Sequence, residues 1–433
     1  MAIDTIGTNA IANDAVTAAK IPAGAVDADI TTIPDGSVTT AKIANDAVTT
    51  AKLFTDNLGR RNLIINGDMR VAQRGTSTTG MQNTGAIFTC DRFSHRRGGT
   101  WTNLQIKHEQ VDVTDTLPLS VGLRKALKVT CTTAEGSVPS GSVSSGESVA
   151  IGHYLEKGDT HRLGVGSSSM SVSTLSFYVK ASIATTYGIA IGADQHTNSH
   201  RIQIPFTVSS ANTYQRISVN IPAYNIALDN GTDNTNGWNM HIVLDGVASA
   251  KTASTWVSNS SSAEQVVIMP NGVSTTGFSN TQNATFEITG VQLERGSSVT
   301  DFEHLPIGES LALCQRYFTK SGDIGTTEEW YPGVATYADY GNFLAMGIDG
   351  NNDRPIPNAN FPVTMRGRPA IVYYPGRSGV TNTAGNITIY NGNTAVTTSS
   401  KPGGAVTGLA GYFQGTSTDS SAYSYHYTAD AEM

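Results

Sequence analysis

Glu328 and Glu329 stand beside Trp330 in the stretch EEWYPGVATYADYGN, residues 328–342, where Tyr331, Tyr337 and Tyr340 follow among polar neighbours. Aromatic rings among carboxylates and amides suit saccharides: sugar C–H faces stack on Trp and Tyr, and hydroxyls pair with Asp, Asn, Gln and backbone groups. Cleavage asks for more. Adjacent residues on a strand point to opposite faces, and glycoside hydrolysis needs two carboxyls about 5–10 Å apart across one cleft. A catalytic pair would have to come from distant parts of the chain or from two subunits. Trp330, Tyr331, Tyr337 and Tyr340 are therefore read as a binding surface. Near the end of the chain, Tyr423, Tyr425 and Tyr427 alternate with Ala422, Ser424 and His426. Such a row fits a sheet core. His426, on the other side, fits a satisfied surface residue or a ligand contact equally well.

Other chemistry is thinner. The loops DNGTDNTNGW (229–238) and DGNNDRP (349–355) place Asp229, Asp233, Asp349 and Asp353 among Asn side chains, oxygens that Ca²⁺ accepts. Neither loop carries the bidentate Glu of an EF-hand, and Asx side chains in turns mostly bond their own backbone. Structural turns are the expectation, with calcium the weaker alternative. No GxSxG elbow, HExxH pair, GxxxxGK[ST] loop or GxGxxG after a strand occurs. Cys90, Cys131 and Cys314 are far apart, with no CxxC or Cys/His spacing. They read as small buried apolar residues of a protein matured in a reducing compartment. No cofactor is implied. The formal net charge is −7 and no dense Lys/Arg cluster exists, so nucleic acid is not an expected partner. Arg92, Arg96 and Arg97 form the densest basic patch and read as a solvated loop.

These residues must be positioned by strands. Charged residues are only 15% of the 433, aromatics 7%, and Gly, Ser, Thr and Asn abound. That composition suits strands joined by tight turns. Period-two alternation recurs at Leu127/Val129/Cys131, Leu175/Phe177/Val179, Ile202/Ile204/Phe206/Val208, Ile217/Val219/Ile221, Trp238/Met240/Ile242/Leu244 and Phe286/Ile288. It predicts an all-β sandwich over 59–305. Pro306 breaks the pattern. Residues 306–319 then read as a short helical connector whose stripe, Leu311, Cys314 and Phe318, packs on a domain or, preferably, on symmetry mates. Residues 320–433 read as a second β domain, with strands at 341–348, 370–374, 387–390 and 422–428.

The opening 58 residues are different in kind. Ile11, Ile21, Ile33, Ile43 and Leu53 recur at ten-residue steps, with one step of twelve. Val16, Val26, Val38 and Val48 sit five residues after the first four. An even period returns equivalent residues to one face of an extended chain, whereas on a helix they would drift around the axis. About one apolar residue in five cannot offset an ordering cost of about 1–2 kcal/mol per residue in a lone chain. Copies wound about a common axis would stack the Ile and Val side chains into a thin core, making a fibrous shaft, the reading the regular spacing favours over a disordered low-complexity linker. The opening MAIDTIGTNA lacks the pattern of a secretory signal. No apolar stretch approaches a membrane span.

The tandem units with GSVTTAKIANDAVTTAKL, followed by RNLIINGDMRVAQRG at 61–75, resemble the front of bacteriophage tail fibre proteins, especially those of marine and cyanobacterial phages. TFEITGVQLERGSSVTDFEHLP at 285–306 and ESLALCQRYF at 309–318 are similar to a segment of phage fibre and receptor-binding proteins. FPVTMRGRPAIVYYP at 361–375 and YHYTADAEM at 425–433 resemble fibre termini. The resemblance implies a homotrimer of jelly-roll-like β-sandwich domains located in the virion. It implies a virion-proximal shaft held by a tail or adaptor protein and a distal tip at 320–433 that binds a host-surface glycan or protein. No catalytic residues come with it. A glycan depolymerase and a purely structural fibre or decoration protein stand as alternatives.

Overall fold

Alternating apolar residues become strands because one face of each can be buried against a second sheet. The computed structural model describes residues 60–81, 89–136, 147–165, 170–193, 200–225, 233–258, 268–273 and 276–321, with shorter runs between 343 and 432. The repeat residues from Ile11 to Leu53 lie outside the described residues. In chain order the first strands are β1 (Ser77–Met81), β2 (Ser94–Gly98), β3 (Gln105–Asp112), β4 (Lys125–Thr133), β5 (Ser148–Glu156) and β6 (Ser173–Ala181). They continue with β7 (Thr186–Ala193), β8 (His200–Thr207), β9 (Gln215–Ile221), β10 (Asn236–Gly246), β11 (Val257–Ser258) and β12 (Thr285–Arg295).

They form two antiparallel sheets of six, ordered β1-β3-β4-β12-β6-β9 and β11-β8-β7-β10-β5-β2. The chain changes sheet at most of its connections, the jelly-roll habit. One core fills the space between them. Leu127 and Val129 of β4, Phe177 of β6, and Phe286 of β12 meet Ile189 of β7, Ile202 of β8 and Trp238 of β10 there. Cys90, Cys131 and Cys314 are all buried as free thiols.

Both outer faces are also covered in their middles. Leu123, Val121 and Phe302 close over Tyr178 and Tyr214 on the first sheet. Met269, with Ala248 and Val273, closes over Ala150, Ala190 and Val243 on the second. The basic patch is not a solvated loop. Arg92 and Arg97 are buried, and Arg97 donates to the carbonyls of Leu104 and Trp101. Arg96 lies 4.6 Å from the Tyr154 ring centroid.

After α1 (Thr116–Ser120) and α2 (Lys157–Thr160) earlier in the chain, Pro306 is followed by helix α3 (Ile307–Gln315) and then β13 (Phe318–Lys320). The helix stops short of Phe318, which belongs to the strand and leaves the expected stripe. Cys314 packs with Ile65, Val71 and Tyr317, flanked by Leu311 and Leu313. The helix is thus covered within its own chain and does not need symmetry mates for burial. The remaining strands are β14 (Phe343–Ala345), β15 (Asp353–Pro355), β16 (Ala359–Asn360), β17 (Ala370–Pro375) and β18 (Asn386–Ile389). Then follow β19 (Ala395–Thr397), β20 (Gly404–Ala405), β21 (Gly408–Leu409), β22 (Tyr412–Gln414) and β23 (Tyr423–Asp430). Among the described residues they make one sheet around β23 and two short ladders, not a second pair of facing sheets.

Strand β23 pairs with β13, Phe318 opposite Asp430, so this C-terminal region leaves and returns at one place. That place is tied to the start of the sandwich. The Asn62 side chain accepts from Leu293 N at 3.1 Å and donates to Val291 O at 3.1 Å. Gln73 Nε2 donates to Phe318 O at 2.8 Å, and Ala431 N to Tyr317 O at 2.7 Å. Arg74 pairs with Asp430 at 3.1 Å, and Arg92 with Glu432.

Candidate functional site

At one end of the sandwich β5 runs into a single helical turn, α2 (Lys157–Thr160), and then a 3₁₀ turn, His161–Leu163. Gly164 closes that turn at φ +77°, a left-handed conformation that favours glycine. The loop before β10 is laced to α2: Gly158 N donates to Asp233 O at 2.9 Å and Lys157 N to Thr235 O at 2.8 Å. Gly237 permits this approach, since a Cβ there would sit 2.8 Å from Lys157 Cα. Opposite stand the opening segment from Arg60 to Ile65 and the end of α3.

Between them lies a cleft of about 340 Å³. Leu63, Ile65 and Leu313 supply its apolar lining, and Arg60, Glu156, Asp159, Arg162, Asp233 and Arg316 its charges. Some of these are already spent. Arg316 grips Glu156 bidentately, Nε to Oε1 at 2.8 Å and Nη2 to Oε2 at 2.7 Å, while Tyr317 Oη donates to Oε1 at 2.6 Å. Burial pushes the Glu156 carboxyl up, but these hydrogen bonds and the Arg316 charge outweigh it and hold the group below its ordinary range. Asn234 Nδ2 donates to Arg366 O at 2.7 Å.

The rest are free of side-chain hydrogen bonds, although Arg60 and Arg162 attract Asp159. Among the described residues, the side chains of Arg60, Asp159, Arg162 and Asp233 make no hydrogen bond or close ion pair. The Arg60 Nε is buried without a partner. Asp159 is half-buried; burial and then the Glu156 charge raise its carboxyl, against the pull of Arg60, Arg162 and Arg316. Arg162 and Asp233 are exposed at the rim. Two donor-rich guanidiniums and two acceptor carboxylates therefore face one concavity beside an apolar floor. Such a set can hold a hydroxyl-rich ligand. With both Glu156 oxygens engaged, Asp159 and Asp233 are the carboxylates that the cleft leaves open.

The aromatic group Trp330, Tyr331, Tyr337 and Tyr340 lies outside the described residues, as do Asp229 and Asp349. His426 lies in β23 opposite Tyr374. Tyr427 of the terminal row is buried, its ring centroid 5.9 Å from that of Phe361. Asp353 falls in β15, opposite Gln414, and Asp233 at the cleft rim. Among the described residues no group of three His, Cys, Asp or Glu side chains could hold a metal. Among them, too, no helix is long and apolar enough to cross a membrane. Sequence reasoning named Asp233 but missed Arg60, Asp159 and Arg162. They lie in separate segments with no common motif, and only the folded sandwich gathers them.

No protein-family model matches the chain, and no curated protein matches it. Among solved structures it is similar to a putative sugar binding protein from Bacteroides thetaiotaomicron VPI-5482, at 12% identity over 55% of this chain and 100% of that one, TM-score 0.28. It is similar to the enzymatically active domain of bacteriophage CBA120 tailspike protein 4, at 11% identity over 54% of this chain and 21% of that one, TM-score 0.29. A family 11 carbohydrate-binding module from Clostridium thermocellum, in complex with a β-1,3-1,4-mixed-linked tetrasaccharide, shares 9% identity over 52% of this chain and 99% of that one, TM-score 0.23. Likenesses at these scores carry no weight for function.

Proposed function

We propose that this chain is a bacteriophage tail fibre protein, a homotrimer in the virion that attaches it to a glycan on the host surface. One observation carries the reading. The segments that resemble tail fibres most specifically, 61–75, 285–318 and 425–433, are far apart in sequence yet pack into one junction. Asn62 bonds the backbone of Val291 and Leu293, Gln73 that of Phe318, and Tyr317 accepts from Ala431. A resemblance scattered by chance would not select residues that share a structural unit. The N-terminal repeats are the shaft, held by a tail or adaptor protein, and the region leaving and returning at that junction is a tip. Three tips per fibre multiply weak single-site contacts, so high affinity at one site is unnecessary. We place the function in binding without bond cleavage, since the resemblance to tail fibres brings no catalytic residues with it.

The test uses the whole chain, since an isolated 306–433 fragment would lose Gln73, Arg74 and Arg92 as anchors of its two ends. Fluorescently labelled protein is titrated onto a panel of bacterial strains, with and without periodate oxidation of their surface glycans. Saturable, strain-selective binding that periodate abolishes is expected. Binding to no strain, or binding indifferent to strain and periodate, overturns the proposal.

A further inference from the structure

The geometry points to the cleft between α2, the loop before β10 and the end of α3 as a subsite for an uncharged sugar residue, gripped through neighbouring hydroxyls by Arg60, Asp159, Arg162 and Asp233. The inference deepens the attachment reading and rests on it. Three observations lead to it. First, the groups without hydrogen bonds balance in charge: two guanidiniums accompany two carboxylates, while Arg316 and Glu156 neutralise each other. A cleft for a carboxylated or sulfated ligand would carry surplus positive charge, and this one carries none. Second, the groups are complementary in kind. Arginine only donates and carboxylate only accepts, whereas each sugar hydroxyl does both, so adjacent hydroxyls can bridge an Arg and an Asp in one cooperative chain. Third, Leu63, Ile65 and Leu313 give an apolar wall for a C–H face, and the volume of about 340 Å³ is at the lower end of small-ligand sites.

The faces of the sandwich are poorer places for such a ligand. Leu123 and Phe302 cover the middle of one, and Met269 covers that of the other. The Tyr317 ring, though it lines the cleft, is capped by the Arg92 guanidinium at 3.4 Å and is not free to stack. Affinity without an aromatic platform is expected to be weak, in the millimolar range, which multivalent display then amplifies.

The experiment titrates the full chain with methyl glycosides of glucose, galactose and mannose, and with glucuronate and galacturonate, by ligand-observed saturation-transfer NMR. Arg162→Gln and Asp233→Asn are made because both side chains are exposed at the rim and their loss leaves the core intact; unchanged melting temperatures check this. One neutral glycoside should saturate, each substitution should weaken it at least about tenfold, equivalent to 1.4 kcal/mol, and the uronates should bind no more tightly. A uronate that binds more tightly than every neutral glycoside overturns the inference, as does neutral binding untouched by either substitution, or no binding at all. Cell binding separates this from the wider proposal. If unaltered protein binds its host and the double variant binds equally well, the subsite falls and attachment stands; if unaltered protein binds no cells, attachment itself falls.

Discussion

Arg92 shows how far a residue's chemistry can depart from its composition class. It is a non-glycine residue at φ +72°, fully buried, with its guanidinium 3.4 Å from the Tyr317 ring centroid. It pairs with Glu432 and donates to the Tyr154 carbonyl at 2.5 Å. A buried cation is tolerated here because a carboxylate, a carbonyl and a ring face all answer it. Removing it leaves Glu432 with Arg74 alone, at 3.5 Å. Arg92→Ala should therefore cost about 3–5 kcal/mol, the usual cost of breaking a buried pair. In a double-mutant cycle, adding Glu432→Gln should cost much less than it does in the unaltered chain, read by urea denaturation. Additive losses would show that the pair does not hold the C-terminal strand. Three arginines within six residues signal a solvated loop in the sequence, because nothing local announces that Glu432 and Tyr317 fold back onto one of them.

At the scale of elements, close approach between α2 and the start of β10 shapes the cleft. A Cβ at Gly237 would lie 2.8 Å from Lys157 Cα and 2.8 Å from Thr160 Oγ1, and the first of these neighbours is backbone that cannot rotate away. Gly237→Ala should push α2 outward, lowering the melting temperature by several degrees and weakening glycoside or cell binding, although no cleft side chain is changed. Calorimetry beside the binding titration checks this, and an alanine variant with both values unaltered would mean that the turn has slack. The strands themselves were largely legible. β4, β6, β8, β9, β10 and β12 all carry alternating apolar residues that turn inward. β5 and β7 were not, and the reason is physical: Ala150 and Ala190 on their outer faces are buried under Met269, so both faces are apolar or small and the alternation vanishes. β2, SHRRG, has no aliphatic residue at all. The cleft escaped for another reason. Arg60, Asp159, Arg162 and Asp233 are brought together by sheet closure, which leaves no mark on local spacing.

The whole molecule carries an acid sensitivity that no single element explains. His95 of β2 and His108 of β3 face each other across the sandwich, ring centroids 5.1 Å apart and edge-on, with neither ring hydrogen-bonded. Burial holds His95 down at about 4, helped by Arg97 and Arg96. Burial and then His95 hold His108 well below its ordinary value; burial and then Arg92 do the same to His153. His241 is lowered to about 3 by burial and Arg96. All four stay neutral in the fold, while the unfolded chain protonates them near pH 6.5. Their stabilisation is therefore complete above about pH 6.5 and is lost as pH falls from there toward about 4, each contributing up to about 1.4 kcal/mol per pH unit. Asp91, Asp159 and Glu432, all raised by burial, work in the opposite sense, since their penalty is relieved as pH falls. Their relief sets in as pH falls through their raised folded values and ends near 4, where the unfolded chain protonates them too, so it offsets part of the loss from the four histidines. Urea denaturation at pH steps between 7 and 4 should show stability falling with acid. His95→Phe with His108→Phe should flatten that slope by roughly 1 kcal/mol per pH unit or more, because two of the four proton-refusing groups are gone. An unaltered slope would shift the acid sensitivity to other groups, whereas the flattened one would mean that the sandwich is held shut partly by histidines that must stay uncharged.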